Sequence, residues 1–186
     1  MPFTATEFPG LFVFEPNIIK DDRGYFFESY NEQTFQQQGI SIRFVQDNQS
    51  FSRHGVIRAL HYQLEPYAQT KLLRVLQGRI LDIALDMRVG SPTYGKYMAI
   101  ELSADNKKQF LIPQGFAHGF SVLSETAEVS YKCDAFYNKA SEAGIIYNDP
   151  ALGIDWQVPA AEVVVSPKDL ELPVLSACRN TFRFKG

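Results

Sequence analysis

Three side chains that can hold or transfer protons fall on the apolar faces of predicted strands. By simple alternation, His61 shares a face with Ile57 and Ala59, and Lys71 and Tyr131 are in phase with apolar residues of their own strands. A lone histidine in such a position is more often a hydrogen-bonded core residue than a catalyst. An unpaired ammonium in a hydrocarbon interior is costly, so Lys71 is harder to explain structurally. The three residues together predict a functional cavity suited to acid–base chemistry.

The elements that would position these residues are short strands. The clearest alternation runs through 79–88, which predicts a strand with one face on the core and the other face, including Asp82, in water. Segments 71–76 and 126–133 are also predicted strands. The dipeptide at 77–78 ends in glycine and is predicted to join 71–76 to 79–88 as a hairpin.

A second hairpin is predicted from 97–102 and 109–112, while helical signals are few. The strongest lies at 31–38, with an asparagine suited to the N-cap and Gly39 just after the end. Single helical turns are expected at 160–162 and 167–170. Many short strands with a few short helices predict an all-β jelly-roll β-barrel or a related barrel.

Length and composition agree with one folded domain over residues 1–186. The chain has 186 residues, 45% of them hydrophobic and 13% aromatic, which excludes a disordered chain or a disulfide-stapled miniprotein. No stretch approaches the roughly 20 apolar residues of a membrane helix, and no basic leader segment precedes an apolar one. The sequence therefore predicts a cytoplasmic protein that does not bind membranes.

The charge balance restricts the class of ligand. Eighteen basic and twenty-one acidic residues leave a net charge of −3, so no general attraction to a nucleic-acid backbone is expected. An anionic ligand would instead need a local cluster of Arg and Lys. The two cysteines, Cys133 and Cys178, lack metal-ligand spacing and are expected to be reduced thiols.

The segment around His118 resembles the second motif of the cupin superfamily, which has a proline, a glycine and a histidine at the spacing of Pro113, Gly115 and His118. Metal-binding cupins have two further histidines and a carboxylate in their first motif. Here only His61 occupies the corresponding segment, so a metal site would be under-coordinated. We therefore predict no metal.

The sequence as a whole is similar to the dTDP-4-dehydrorhamnose 3,5-epimerase family. The resemblance rests on these segments, in this order: 22–28, 46–48, the strand around His61, 71–75, the turn around His118, 131–137, 153–156 and 166–169. It implies a cupin-like jelly roll, a homodimer and a cofactor-free isomerase. It also implies that C3 and C5 of dTDP-4-dehydro-6-deoxy-D-glucose are inverted, which gives dTDP-4-dehydro-L-rhamnose, a precursor of dTDP-L-rhamnose.

The resemblance implies catalytic roles that fit this chemistry. C3 and C5 flank the C4 ketone, so removal of either proton gives an enolate, and reprotonation from the opposite face inverts the carbon. His61 takes the position of the base, because its ordinary pKa leaves it largely neutral, and Asp169 that of the carboxylate orienting it. Tyr131 takes the position of the acid. Lys71 takes a position beside the enolate oxygen.

The resemblance also implies substrate-binding positions, which are Arg23, Glu28, Gln46, Asn48, Arg58, Lys71, His118, Tyr137, Glu142 and Lys168. Arg23, Arg58 and Lys168 would form the local cationic cluster for the diphosphate. Tyr137 takes the position of an aromatic residue stacked on thymine. Arg58 has the opposite parity to His61. A β-bulge, a site in the partner subunit or an error in the assignment would explain that.

Alternative functions remain at this point. Relatives that epimerise only C3 or only C5 would use the same base and acid. A cupin binding module without turnover is disfavoured by an opposed acid and base, and a metal-dependent cupin by the missing ligands. One departure from the family is Ala59, which stands where glycine is usual.

Overall fold

The computed structural model describes residues 3–185, and most of its regular structure is β-strand. In chain order the strands are β1 (Phe3–Ala5), β2 (Phe12–Phe14), β3 (Ile19–Asp21), β4 (Gly24–Phe26), β5 (Gln46–Arg53), β6 (Ile57–Gln63), β7 (Lys71–Gln77), β8 (Arg79–Asp86), β9 (Tyr97–Ser103), β10 (Gln109–Ile112), β11 (Phe116–Val122), β12 (Thr126–Cys133) and β13 (Glu142–Gly144). The α-helices are α1 (Glu32–Gln37) and α2 (Pro167–Leu170), and short 3₁₀ turns are Lys139–Ser141, Ala160–Glu162 and Leu175–Ala177.

The strands form two facing sheets and a separate hairpin. One sheet has the order β1-β2-β10-β7-β12-β5, and the other has the order β13-β6-β11-β8-β9. Pairing within both sheets is antiparallel, and β3 pairs with β4 in the hairpin. Successive strands alternate between the sheets from β5 to β8 and again from β9 to β13, as in a jelly roll. The prediction of an all-β jelly roll with a few short helices is confirmed.

Both predicted hairpins of the barrel are wrong. β7 and β9 do follow the predicted segments, but β7 lies in the sheet opposite β8, and β9 in the sheet opposite β10. Between β7 and β8 the chain crosses from one sheet to the other at Gly78. This glycine has φ +77°, and a Cβ there would lie 2.0 Å from the carbonyl oxygen of Thr126. The turn was correctly located, but turn chemistry alone does not say whether the chain returns to the same sheet.

The prediction that one face of β8 lies in water is also wrong. Leu81 and Ile83 pack on the outside of their sheet with Trp156 and Phe182, which come from the C-terminal segment. The alternate face points into the space between the sheets, where Asp82 is fully buried. Both faces are buried because the C-terminal segment covers the outer face of β8 and the six-stranded sheet covers the inner face.

The helix prediction at 31–38 is confirmed. α1 begins after Asn31, whose side chain accepts hydrogen bonds from the backbone N–H of Gln33 (3.0 Å) and Thr34 (3.3 Å). Phe35 anchors α1 in a hydrophobic cluster with Leu72 and Leu111 on the outer face of the six-stranded sheet. No helix among residues 3–185 combines the length and the apolar character needed to cross a bilayer.

Candidate active site

A cavity of about 430 Å³ lies between the two sheets. β5, β7 and β12 form one wall, and β6, β11 and β13 contribute to the other. The residues of the cavity that were predicted from the sequence are Gln46, Asn48, Arg58, His61, Lys71, His118, Tyr131, Tyr137 and Glu142. Lys168 and Asp169 line an adjoining pocket together with His61 and Glu142. The structure thus brings eleven of the thirteen predicted residues to one region.

His61 and Asp169 form a hydrogen-bonded pair at the edge of this cavity. His61 Nε2 lies 2.8 Å from Asp169 Oδ1, and about a third of the imidazole is exposed. Asp169 is nearly buried on α2, a turn that begins at Ser166, whose hydroxyl caps the N–H of Asp169. Burial pushes the pKa of Asp169 upward, but hydrogen bonds from His61, Ser166 and the N–H of Ala59 outweigh it and hold the pKa below its usual range. A neutral His61 that donates from Nε2 to this carboxylate keeps Nδ1 as its basic nitrogen.

Arg58 lines the same cavity as His61 because β6 contains a bulge. In the ladder with β11, His61 pairs with His118 and Arg58 pairs with Phe120, so β6 has one extra residue between them. Gly119 lies opposite the bulge, and a Cβ on it would come within 2.7 Å of the Cβ of Ala59. The expectation that His61 shares a face with Ile57 and Ala59 is therefore wrong.

The guanidinium of Arg58 is held at the edge of the cavity. Its Nε donates to Ser52 Oγ (3.1 Å), and one terminal nitrogen donates to the carbonyl oxygen of Phe51 (3.3 Å). Ile57 and Ala59, in contrast, belong to the cluster on the outer face of the five-stranded sheet.

His118 forms a second imidazole–carboxylate pair, deeper in the barrel. Its Nε2 lies 2.9 Å from Asp82 Oδ2, and both side chains are buried. Burial lowers the pKa of His118, which the adjacent Asp82 opposes without reversing. Burial likewise raises the pKa of Asp82, against the opposing effects of His118 and Lys71. The lowered pKa of His118 and the raised pKa of Asp82 both favour the neutral forms of the two side chains over the ionised pair.

Lys71 and Tyr131 project from the sheet that faces His61. The ammonium of Lys71 lies 5.9 Å from the centre of the Tyr131 ring. Burial lowers the pKa of Lys71, while Cys133, Asp82 and Glu142 act in the opposite direction. Burial also raises the pKa of Tyr131, so its phenol keeps its proton at neutral pH. The cavity thus has an imidazole base on one wall and a protonated phenol on the other.

A hydrogen-bonded network surrounds the open side of the cavity. Gln46 accepts from the N–H of Tyr137 (3.0 Å) and donates to Asn48 Oδ1 (3.0 Å). The Tyr137 hydroxyl donates to Glu142 Oε2 (2.9 Å), and Lys168 Nζ lies 2.6 Å from Glu142 Oε1. Burial raises the pKa of Glu142, but its bonds to Lys168 and Tyr137 keep the net pKa below its usual range. The ring of Tyr137 is mostly exposed and is free to stack on a planar group.

Comparison with known proteins identifies the family. Residues 5–177 match the family model described as dTDP-4-dehydrorhamnose 3,5-epimerase. The chain belongs to the dTDP-4-dehydrorhamnose 3,5-epimerase family. Members of this epimerase family are isomerases, so the predicted enzyme class is confirmed.

Relatives of this epimerase family match over nearly their whole length. The dTDP-4-dehydrorhamnose 3,5-epimerase of Shigella flexneri is 49% identical over 171 residues, 91% of this chain and 93% of the relative. The crystal structure of the Elizabethkingia anophelis enzyme of the same name has a TM-score of 0.91 at 49% identity and covers 95% of this chain and 97% of its own. The dTDP-6-deoxy-D-glucose-3,5-epimerase of Legionella pneumophila, solved with dTDP-4-keto-L-rhamnose, has a TM-score of 0.95 at 44% identity and covers 100% and 99%.

Two residues predicted to bind substrate in this epimerase family lie outside the cavity. Arg23 is in the turn between β3 and β4, with most of its side chain exposed, and its guanidinium pairs with Asp21 at 2.6 Å. Glu28 follows β4, accepts a hydrogen bond from Asn31 and lines a separate surface pocket. Arg23 and Glu28 therefore do not join the other predicted residues within one chain.

Asp82, the buried partner of His118, was not predicted as a site residue from the sequence. It was expected in water because it alternates with large apolar residues, yet those residues face outward and Asp82 faces inward. Its signal in the sequence was present: an acidic residue in the centre of a strand rich in large apolar residues. Among residues 3–185, no cluster of three His, Cys, Asp or Glu residues has the arrangement of a metal site. The absence of a cofactor stays a prediction.

Proposed function

We propose that the protein inverts C3 and C5 of dTDP-4-dehydro-6-deoxy-D-glucose to give dTDP-4-dehydro-L-rhamnose. The observation that carries this proposal is the position of the His61–Asp169 pair on one wall of a sugar-sized cavity and of Tyr131 on the other. Inversion of a carbon needs a proton to leave from one face and to return on the other. Membership of the family supports the same reaction, and the Legionella relative contains the expected product.

In the first half of each inversion, Nδ1 of His61 removes the proton next to the C4 ketone. The C–H electron pair forms the carbon–carbon double bond of the enolate, and the carbonyl π pair moves to O4. The carboxylate of Asp169, ionised because its pKa is lowered, stabilises the imidazolium as it forms. Lys71 would stabilise the negative charge on O4. An anion at this position favours the charged ammonium and so opposes the effect of burial on its pKa.

In the second half, the Tyr131 hydroxyl gives its proton to the opposite face of the enolate carbon. The enolate electron pair forms the new C–H bond and the C4 ketone is restored. His61 then loses and Tyr131 regains a proton by exchange with water. Because the raised pKa of Tyr131 makes its phenolate a strong base, the tyrosine is protonated again before the next inversion.

The remaining cavity residues would bind the nucleotide and the sugar. Arg58 and Lys168 provide positive charge for the diphosphate, and Tyr137 provides an exposed ring for thymine. The other proposed contacts are Gln46, Asn48, His118 and Glu142.

Incubation with dTDP-4-dehydro-6-deoxy-D-glucose in D₂O tests this function. We expect NMR to find deuterium at both C3 and C5, together with the inverted product. Label at a single carbon would instead identify a C3-only or C5-only epimerase. Binding of the keto-sugar without incorporation of deuterium would indicate a cupin binding module without turnover. The same assay after exhaustive chelation should retain full activity, and a loss that added metal restores would contradict the prediction that no cofactor is needed.

We also propose a homodimer in which the β3–β4 hairpin reaches the neighbouring active site. The hairpin exposes Ile19, Tyr25 and Phe26, an apolar surface that a second copy would cover. Arg23 lies at its tip and is absent from its own cavity, so a site that uses this arginine would receive it from the partner subunit. Glu28, at the base of the hairpin, would likewise contribute to the active site of the partner subunit.

Subunit complementation tests the shared site. Arg23→Ala and His61→Ala variants should each lose most activity, and coexpression should restore about one quarter of the wild-type value, since half of the random dimers carry one intact site. Light scattering should give twice 21.1 kDa. A monomer, or mixed dimers as inactive as the parents, would contradict the proposal.

Residues 1–186 would act as one domain in the cytoplasm. The single domain is supported by hydrophobic clusters whose members extend from Phe8 to Phe182. The location stays a prediction of the sequence.

A further inference from the structure

The inward face of β5 presents a row of four polar side chains, namely Gln46, Asn48, Ser50 and Ser52. Three of them have partners in the protein. Gln46 bonds to Asn48, and Ser52 Oγ accepts from Arg58 Nε. The hydroxyl oxygen of Ser50 is buried and has no hydrogen-bond partner among residues 3–185. Native proteins rarely leave a buried hydroxyl in this state, and such exceptions require an explanation.

The surroundings of Ser50 do not offer a partner from its own row. Ser50 pairs with Val129 on β12, and Val129 pairs with Val75 on β7. Both valines belong to the hydrophobic cluster between the sheets. A structural role for the hydroxyl would need a nearby donor or acceptor, and the adjacent hydrocarbon provides none.

Ser50 lies on β5 between the neighbours of two residues that have proposed roles, Tyr131 and Arg58. On β5 it lies between Asn48, which pairs with Tyr131, and Ser52, which holds Arg58. It is also one of the residues that line the cavity. The hydroxyl therefore lies between the proposed acid and the guanidinium proposed to bind phosphate, where the sugar and its phosphate linkage would be bound.

We propose that Ser50 is a further substrate-binding residue whose hydroxyl hydrogen-bonds an oxygen of the bound dTDP-sugar. This inference rests on the proposed function and adds a contact that the sequence analysis did not assign. A hexose hydroxyl and a phosphoryl oxygen can both pair with a serine hydroxyl.

If the Ser50 hydroxyl contacts only the substrate, its removal should weaken substrate binding without lowering the stability of the ligand-free protein. Truncation of Ser50 breaks no hydrogen bond within the protein, so the ligand-free protein should not be destabilised. The bound substrate, in contrast, would lose one partner for an oxygen that has left water, and this loss weakens binding.

Ser50→Ala and the matched variant Ser130→Ala test the proposal. Ser130 lies on the neighbouring strand with the opposite parity to Tyr131, so it faces away from the cavity. For Ser50→Ala we expect kcat/KM to fall about five- to tenfold, with the ligand-free Tm unchanged or slightly raised. Ser130→Ala should keep kcat/KM within about twofold of wild type.

Titration calorimetry with dTDP and with dTDP-glucose, which has no C4 ketone and cannot react, identifies the oxygen. Equal weakening of both ligands by Ser50→Ala assigns the contact to the diphosphate, and weakening of dTDP-glucose alone assigns it to the hexose. A wild-type-like kcat/KM with both affinities unchanged would overturn the inference. A kcat/KM that falls together with the ligand-free Tm would also overturn it, because the hydroxyl would then be structural.

Failure of the proposed function is distinguishable from failure of this inference. If the wild-type protein does not turn over the keto-sugar, the proposed function fails whatever Ser50→Ala does, and the dTDP-glucose titration still tests the contact. If the wild type is active and Ser50→Ala matches it in every measurement, the inference alone fails.

Discussion

His61 and His118 face each other across the β6–β11 ladder, and each imidazole has a carboxylate partner. The pairs differ in burial: the His61 side chain is 32% exposed and that of His118 is 8% exposed. An accessible imidazole can exchange a proton with a ligand and then with water, whereas His118 lines the cavity but, with Asp82, has little access to water. The same two residue types therefore suit proton transfer at one position and fixed hydrogen bonding at the other.

Replacement of the exposed imidazole should have the largest effect. His61→Gln removes the proposed base and should lower kcat by about 10²–10⁴, the usual contribution of a positioned acid or base. Circular dichroism and Tm should stay near wild type, because this side chain lies at the edge of the cavity. Steady-state rates of His61→Gln and His118→Gln make the comparison.

His118→Gln should mainly affect substrate binding and Tm. A His61→Gln variant with only tenfold-reduced kcat would remove His61 as the base. A larger loss of kcat for His118→Gln would reverse the roles of the two pairs.

Loss of the outer carboxylate should have the next largest effect. Asp169→Asn keeps the shape of the side chain but removes the charge that stabilises the imidazolium, so kcat should fall about 10²-fold. Asp82→Asn, in the inner pair, should reduce kcat less than tenfold, since its partner does not take up the proton. Comparable rates for the two variants would show that the pairs do not differ in function.

The two carboxylates should also differ in the sign of their effect on stability. The lowered pKa of Asp169 means that its charge stabilises the fold above its unfolded pKa of about 3.9, and this contribution is lost as pH falls through the folded pKa. The raised pKa of Asp82 means the opposite: its charge costs stability once the pH exceeds the unfolded pKa.

Urea unfolding from about pH 2 to pH 7.5 measures this difference, because that range includes the unfolded carboxylate pKa of about 3.9 and the more acidic pH values below it. Asp169→Asn should lower the free energy of unfolding near neutral pH, and the loss should shrink toward acid. Asp82→Asn should gain stability relative to wild type as pH rises. Parallel curves for the two variants would contradict the assigned directions.

The smallest expected effect concerns the bulge that lets Arg58 and His61 line one cavity. Gly119→Ala places a methyl group against Ala59 Cβ and the carbonyl oxygen of Arg58, each at 2.7 Å, and should cost about 1–3 kcal/mol. Adding Ala59→Gly should recover part of this loss, because it removes the contact with Ala59 Cβ and leaves those with the carbonyl oxygen of Arg58 (2.7 Å) and with Cα of residue 59 (2.9 Å). A Gly119→Ala variant as stable as wild type would show that the strands can separate at no cost.

Period-two alternation was sufficient to predict strands but not the direction of every side chain. It correctly located β7, β12 and the inward faces of Lys71 and Tyr131. It failed at β6 because one extra residue in a bulge reverses the parity that follows. It also failed at β8, since apolar alternation cannot say which face of a doubly covered strand points into the barrel.

The site, too, was predicted from the sequence only in part. Residue types and the family resemblance selected a base, an acid and their charged neighbours, and the structure brings those residues to one cavity. Asp82 was missed because a charged residue between apolar ones normally faces water. Arg23 and Glu28 were expected beside the other residues, and the hairpin instead carries them to an exposed surface.

From the sequence alone it follows that the chain forms short strands, contains a helix capped by Asn31 and has the side chains for acid–base chemistry. These features depend on local alternation, capping and residue chemistry, which act over a few neighbouring residues. Tertiary structure alone decided which sheet each strand joins, where β6 bulges and which imidazole stays accessible. Those outcomes depend on contacts between distant segments, because burial and pKa are set by whatever packs around a residue.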